Sequence, residues 1–262
     1  MYTRFSTVQL PLLLVASVGG ALVVGVVLGR RRRHGSHDTD GPEGVLQAAL
    51  LGLVGLLLAF GLSMAVDRFE NRRDIVVSEA NALGTTYLRA QLLDEPARSE
   101  SLALLQRYAG VAVALAEVPP RSAAFAARAA ELAELQQALW TAAGPAVRDR
   151  PLDTAPRLYI DSLNGLIDAH TERVASLFNG VPSSVVAVEI LASALGVGVL
   201  AFHLAAAGRS AVSAPLVGGL IVVILFVTFD LDRPRRGFIH VPDAPLRAAQ
   251  VSMARGPTAP GS

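Results

Sequence analysis

The sequence predicts an all-α, polytopic membrane protein: four transmembrane helices in two pairs, with an extramembrane helical domain inserted between the pairs. Three observations predict it. Of 262 residues, 52% are hydrophobic and only 17% charged, where a soluble domain carries about a quarter charged residues; mean hydropathy is +0.45. Four apolar stretches, residues 10–28, 45–66, 185–207 and 211–229, come up to the roughly 20 helical residues needed to cross a hydrocarbon core of about 30 Å. None alternates apolar with polar residues, so helices, which satisfy their own backbone, are the spanning structure. The chain divides into a first pair (1–66), an extramembrane domain (67–183), a second pair (184–230) and a tail (231–262).

The first stretch follows Arg4 and contains Val15-Ala16-Ser17, features shared with signal peptides. Its apolar run is longer than their usual run of about 7–15 residues, and Arg30–Arg33 follow it as a stop-transfer flank, so it is read as a retained helix. Gly25 and Gly29 form a G-x-x-x-G in it. In the second stretch Ala48, Gly52, Gly55, Ala59 and Ser63 recur every three or four residues. Such faces let helix backbones approach where apolar attraction cannot drive association, and both are read as packing faces of the bundle.

No Pro or turn cluster interrupts "DRFENRRDIVVSEANALGTTYLRAQLL" from Asp67 onward, so the second helix is expected to run on out of the membrane. Asp94 and Pro96 suit the cap and first turn of a helix reaching about Val118, which Pro119-Pro120 stops. Ser122 opens another, expected to end at Gly144-Pro145. Thr154 is expected to cap a helix over about 155–178, ended by Asn179-Gly180-Val181-Pro182. Leu158, Leu163, Leu166, Ile167, Val174 and Leu177 recur there with helical period, so the core is helix against helix. Beyond the fourth span Pro234 and Gly237 break the helix. Residues 238–241 read as extended, 245–253 as one or two helical turns, and the last nine as disordered.

Chemistry is sparse. With no cysteine, disulfides, Cys-ligated zinc and thiol nucleophiles are excluded. A net charge of +1, without a basic stripe interleaved with aromatics, excludes nucleic acid. All 23 basic residues are arginine, as a GC-rich genome favours. There is no H-E-x-x-H and no P-loop, and "GLSMA" at 61–65 lies in a membrane helix, not at a strand–turn–helix elbow. No catalytic residue, metal ligand set or cofactor is expected. The histidines at 34, 37, 170, 203 and 240 place no ligand pair on one helix, and the loop holding His34 and His37 lacks groups to orient a metal ligand.

The anomaly is in the third span. Glu189 and His203 are two heptads apart on one helical line, with Ser193, Gly196 and Leu200 between them. At 1.5 Å per residue they lie roughly 21 Å apart, one toward each end. A charge at the bilayer centre costs at least ~2.5–3.5 kcal/mol. Two readings stand: polar residues near the interfaces that face the bundle for packing, or a hydrated path lined by Glu189, Ser193, Gly196 and His203. The charged run Asp67, Arg68, Glu70, Arg72, Arg73, Asp74 and Glu79 also has two. It is a solvated face laced with i,i+4 pairs, or a ring of charge at a pore vestibule. Asp232-Arg233-Pro234-Arg235-Arg236 suits anionic lipid head groups.

Three stretches carry a resemblance: "RRDIVVSEANALGTTYLRAQLL" after the second span, "LNGLIDAHTERVASLFNGVP" before the third and "LDRPRRGFIHVPDAPL" after the fourth. In this order, with two spans on either side of a helical domain and a tail holding Asp232, Arg233, Pro234 and Gly237, the chain resembles the bestrophin-like family of bacterial membrane proteins. It departs at Arg235, where the family commonly has Phe. The resemblance implies four spans in the cell membrane. A more distant likeness to bestrophin anion channels implies a homo-oligomer passing a small anion, with both termini and the helical domain in the cytoplasm. The alternative is a non-conducting membrane scaffold whose helical domain binds a partner protein. The flanking charges conflict on orientation. Arg30–Arg33 and Arg209 lie on one side, while Arg4, Arg68, Arg72, Arg73, Arg173, Arg233, Arg235 and Arg236 lie on the other. The larger group favours a cytoplasmic helical domain; the denser run of four argues the reverse.

Overall fold

The computed structural model describes residues 8–32, 42–149, 151–208, 212–233 and 237–256. Arg4, Arg33, His34, His37, Arg209, Pro234, Arg235, Arg236 and residues 257–262 lie outside them. The described residues form eight helices and no strand: α1 Gln9–Arg32, α2 Pro42–Ala90, α3 Ala97–Glu117, α4 Ala123–Asp149, α5 Thr154–Ser176, α6 Ser183–Ala206, α7 Ser213–Leu231 and α8 Ala244–Ala254. They group into two compact units. One holds Met1–Phe69 and Gly180–Ile239, the other Glu70–Asn179 and His240–Ser262. The tail therefore divides between the units at Ile239, and α2 contributes to both.

In the first unit α1, the first part of α2, α6 and α7 enclose a core of Leu10, Leu14, Val18, Val54, Leu58, Val186, Val197, Ile221, Leu225 and Phe229. All four helices are long and apolar enough to cross a membrane, and at most 44% of any span is buried within the chain. Leu12, Leu53, Phe60, Leu191, Leu195, Leu216 and Leu220 point outward and are more than half exposed. In water so much exposed apolar surface would be a liability; against lipid it is matched.

In the second unit the rest of α2 packs with α3, α4, α5 and α8 around Leu83, Leu105, Tyr108, Leu115, Leu132, Leu139, Tyr159, Leu163 and Leu166. Local signals set most helix ends, with exceptions. At the start of α3 the Asp94 carbonyl accepts the Arg98 N–H at 3.0 Å, and Glu95 Oε2 accepts the Ser99 backbone N–H at 3.1 Å. Ser122 does cap α4, accepting the Phe125 N–H at 3.0 Å, but α4 runs through Gly144-Pro145 to Asp149. Proline removes one N–H from the ladder, and burial of Ala142 and Ala143 beside it keeps that turn docked. Thr154 is the first residue of α5, preceded by Asp153 at the cap. Leu158 is 39% exposed while Tyr159 is fully buried, because the 3.6-residue period drawn back from Leu163 and Leu166 falls on Tyr159. Residues 237–239 form bends, and α8 has 11 residues, longer than one or two turns.

Candidate functional site

The candidate site is built on α2, which alternates inward and outward faces along the span. Val54, Leu58, Gly61 and Ala65 are buried in the bundle. Ala48, Gly52, Gly55, Ala59 and Ser63 are exposed, and a Cβ built on Gly52 or Gly55 would meet nothing within 4 Å. The sequence reading assigned that small-residue stripe to the packing face of the bundle; within the chain the packing face is the other one. The reason is angular: Gly52 and Val54 are two residues apart, about 200° around a 3.6-residue helix. Both stripes are periodic, and the core took the one with bulk to fill it.

Gly25 and Gly29 are buried between α1 and α6. A Cβ on Gly25 would overlap the Gly198 carbonyl oxygen and lie 3.1 Å from Ala201 Cβ, and one on Gly29 would overlap the Phe202 carbonyl oxygen. Backbone stands against backbone here, which only glycine permits. Gly25→Ala is expected to cost about 1–3 kcal/mol as an overpacked contact, read as a lower unfolding midpoint in detergent. Gly52→Ala, with open space around it, should leave that midpoint unchanged.

The polar line on α6 turns into the bundle. Glu189, Ser193 and Gly196 are buried. The Glu189 carboxyl sits directly on Gly61 of α2, where a Cβ would overlap it, and Gly196 faces Val54, with 3.0 Å between its Cβ position and Val54 Cγ2. His203 is half-buried, edge-on to the Phe202 ring at 5.4 Å. Val197, which heptad spacing puts on another face, is fully buried, because α1 and α7 cover that side of α6 as α2 covers this one. Gly61 was legible only as part of "GLSMA"; nothing in the sequence marks it as the seat of a carboxyl.

The charged run after the span splits. Asp67, Glu70, Arg73 and Asp74 are exposed. Arg68 turns toward Asp232, its Nη1 lying 3.7 Å from Oδ1. Arg72 and Glu79 are 4% and 0% exposed, so neither belongs to a solvated face, and Arg72 does not join an open vestibule. Their spacing tells why: Arg72, Ile75, Val76, Glu79, Ala80, Leu83, Thr86, Tyr87 and Ala90 are one buried stripe of α2. Glu79 Oε1 accepts the Tyr108 hydroxyl at 3.2 Å and lies 3.0 Å from His170 Nδ1, while Oε2 pairs with Arg173 Nε. Arg173 Nη2 also donates to the Ala112 carbonyl at 3.4 Å. Burial first, and then the Glu79 charge, hold the Tyr108 hydroxyl protonated well above the usual tyrosine range. The sequence reading missed this cluster. Two signals pointed to it: Glu79 lies in phase with apolar neighbours, and His170 and Arg173 are i,i+3 in line with Leu163 and Leu166.

The tail motif is a set of staples at the end of α7. Asp230, Asp232 and Arg233 are 1%, 0% and 2% exposed. Asp232 Oδ2 accepts the Val181 N–H at 2.9 Å, tying the entry to α6 to the exit from α7. Asp230 Oδ2 accepts the N–H groups of Phe238 and Ile239 at 2.8 and 3.0 Å. A Cβ on Gly237 would overlap the Asp230 carboxyl, so glycine at 237 lets the chain close over it.

A sequence model of the bestrophin-like domain matches residues 12–246. No curated protein matches the sequence. Among solved structures, a single-substitution variant of a bacterial bestrophin homologue from Klebsiella pneumoniae superposes with TM-score 0.67 at 14% identity, over 91% of this chain and 98% of that one. A variant described as a membrane protein gives 0.66 at 15% identity, over 90% and 97%. The Klebsiella pneumoniae homologue phased on zinc gives 0.63 at 16%, over 90% and 95%. At these identities the superpositions speak for the fold. The domain match over nearly the whole length speaks for descent: the chain is a multi-pass membrane protein that belongs to the bestrophin-like family.

Proposed function

We propose that the chain assembles into a homo-oligomeric, anion-conducting channel in the bacterial plasma membrane. The observation that carries this reading is the outward stripe of Ala48, Gly52, Gly55, Ala59 and Ser63 on α2. Its helix presents Leu53, Leu56 and Phe60 on the neighbouring outward face, as a lipid-facing surface should. A strip of small residues beside them has no use against acyl chains. It suits close contact with further copies or the wall of a narrow path. Asp67, Glu70 and Arg73, exposed just beyond the span, are the vestibule charges in this reading. The characterised members of the family are anion channels, which supports the ion class. The polar groups of α6 stand behind α2 and support the wall; they do not line it.

Purified chain should run in detergent as an oligomer and release chloride from loaded liposomes. Gly52→Leu should shift the oligomer size or cut the flux while leaving the unfolding midpoint of the chain nearly unchanged, since a Cβ at Gly52 would meet nothing within 4 Å among the described residues. A monomer without flux would reject the channel and favour the scaffold. For that alternative the helical domain offers a groove of about 580 Å3 lined by Asn81, Thr85, Gln91 and Ser252 among others.

The helical domain and both termini are proposed to be cytoplasmic. A reporter active only in the cytoplasm, fused after Ser262, should be active, and a periplasm-only reporter silent. The opposite pattern would place the domain outside the cell.

A further inference from the structure

We propose that residues 237–239 are an interfacial membrane anchor: the turn after α7 folds back along the bundle and sets the Phe238 side chain among the upper acyl chains of the bilayer. Phe238 is 74% exposed, and Ile239 beside it is 37% exposed. The Phe238 ring stands edge-on to the Phe226 ring of α7, with 6.0 Å between centroids. Phe226 lies five residues before Leu231, the last residue of α7, or about 7.5 Å inside the end of the helix. The chain therefore leaves α7 and returns alongside its last turns.

Two features make the return. Asp230, 1% exposed, accepts the backbone N–H groups of Phe238 and Ile239 at 2.8 and 3.0 Å. Gly237 lies where any Cβ would overlap that carboxyl. The two bonds fix the backbone at 238 and 239, so the ring is clamped against the side of the helix. Its occupant follows from what the ring extends. Leu216, Leu220 and Val223 are 70%, 62% and 57% exposed and recur every three or four residues on α7, and Phe226 is the next position on that stripe. This is the lipid-facing surface of a helix long and apolar enough to cross a membrane. A lone exposed apolar side chain facing water is ordinary; one clamped onto the end of a lipid-facing stripe continues the contact with the bilayer. Phenylalanine has no polar tip, so its place is at the tops of the acyl chains, below the headgroup level that tyrosine and tryptophan favour. The anchor requires only the spanning bundle and is independent of ion conduction.

The test is fluorescence quenching of the full chain in phosphatidylcholine vesicles whose acyl chains carry bromine either close to the headgroup or near the methyl end. Trp140→Phe removes the single natural tryptophan, and Phe238→Trp or Leu220→Trp then supplies one reporter at a time. Leu220→Trp, near the middle of α7, should be quenched more by the deep label. Phe238→Trp should be quenched strongly by the shallow label and weakly by the deep one. Emission untouched by either label would overturn the proposal and put water or a second copy of the chain over the ring. Stronger quenching from the deep label would overturn the interfacial depth. Adding Asp230→Ala to Phe238→Trp opens the clamp and should cut the shallow quenching, while the deep quenching of Leu220→Trp stays as it was. Asp230→Asn, whose amide oxygen still accepts N–H groups, should preserve the shallow quenching. Shallow quenching unchanged by Asp230→Ala would overturn the role of the clamp.

Discussion

Replacing Glu79 by alanine is expected to lower the stability of the helical domain by about 3–5 kcal/mol, the cost of leaving a buried charge without its partner. Arg173 keeps its position on α5, 4% exposed, and retains only the long bond to the Ala112 carbonyl at 3.4 Å. Tyr108 and His170 lose their shared acceptor in the same step. Denaturant unfolding in detergent, followed by the single tryptophan, Trp140 on α4, measures the loss. The pair is better at specifying one packing than at adding stability, so a double replacement by apolar residues, Glu79→Leu with Arg173→Met, should cost less than Glu79→Ala alone. A single variant as stable as the natural chain, or a double one worse than the single, would contradict the ion-pair account. Glu95→Ala is the control. Glu95 is exposed, paired with Arg98 at 2.7 Å and bonded to the Ser99 N–H, so its loss should cost only about 1 kcal/mol, well short of Glu79→Ala.

Asp230→Ala is expected to cost about 1.5–3 kcal/mol in the spanning unit, the loss of hydrogen bonds from a buried carboxylate to two partly buried N–H groups that water can reach afterwards. The sign is informative. A carboxylate in the last turn of a helix opposes the macrodipole, so an aspartate there with no tertiary role would be better replaced by alanine. Destabilisation would show that the bonds to Phe238 and Ile239 outweigh the dipole term. Hydrogen exchange of those two amides should rise with the fall in midpoint, while that of Val181, held by Asp232, should change less.

The outward stripe of α2 and the buried stripe beside it show how far one dimension reaches. Composition, four long apolar runs and the helical period by themselves determined that the chain is helical, that it spans a membrane four times and that a helical domain lies between the pairs. These are properties of consecutive residues, and hydrocarbon admits few alternatives. Capping at Ser122 and the stop at Pro119-Pro120 are local in the same sense. The Asp232-Arg233 motif was visible as a resemblance, but its bond to Val181 spans 51 residues. Tertiary structure alone decided which of two equally periodic faces of α2 turns inward, since periodicity sets an angle between faces and not a direction. It decided that Glu79 is core, through a contact with His170 91 residues away. It also carried α4 past Pro145, where packing of the adjacent turn outweighs one missing hydrogen bond, and brought Gly61 under Glu189. In each case the deciding energy comes from a partner distant in sequence, and no local pattern records which partner that is.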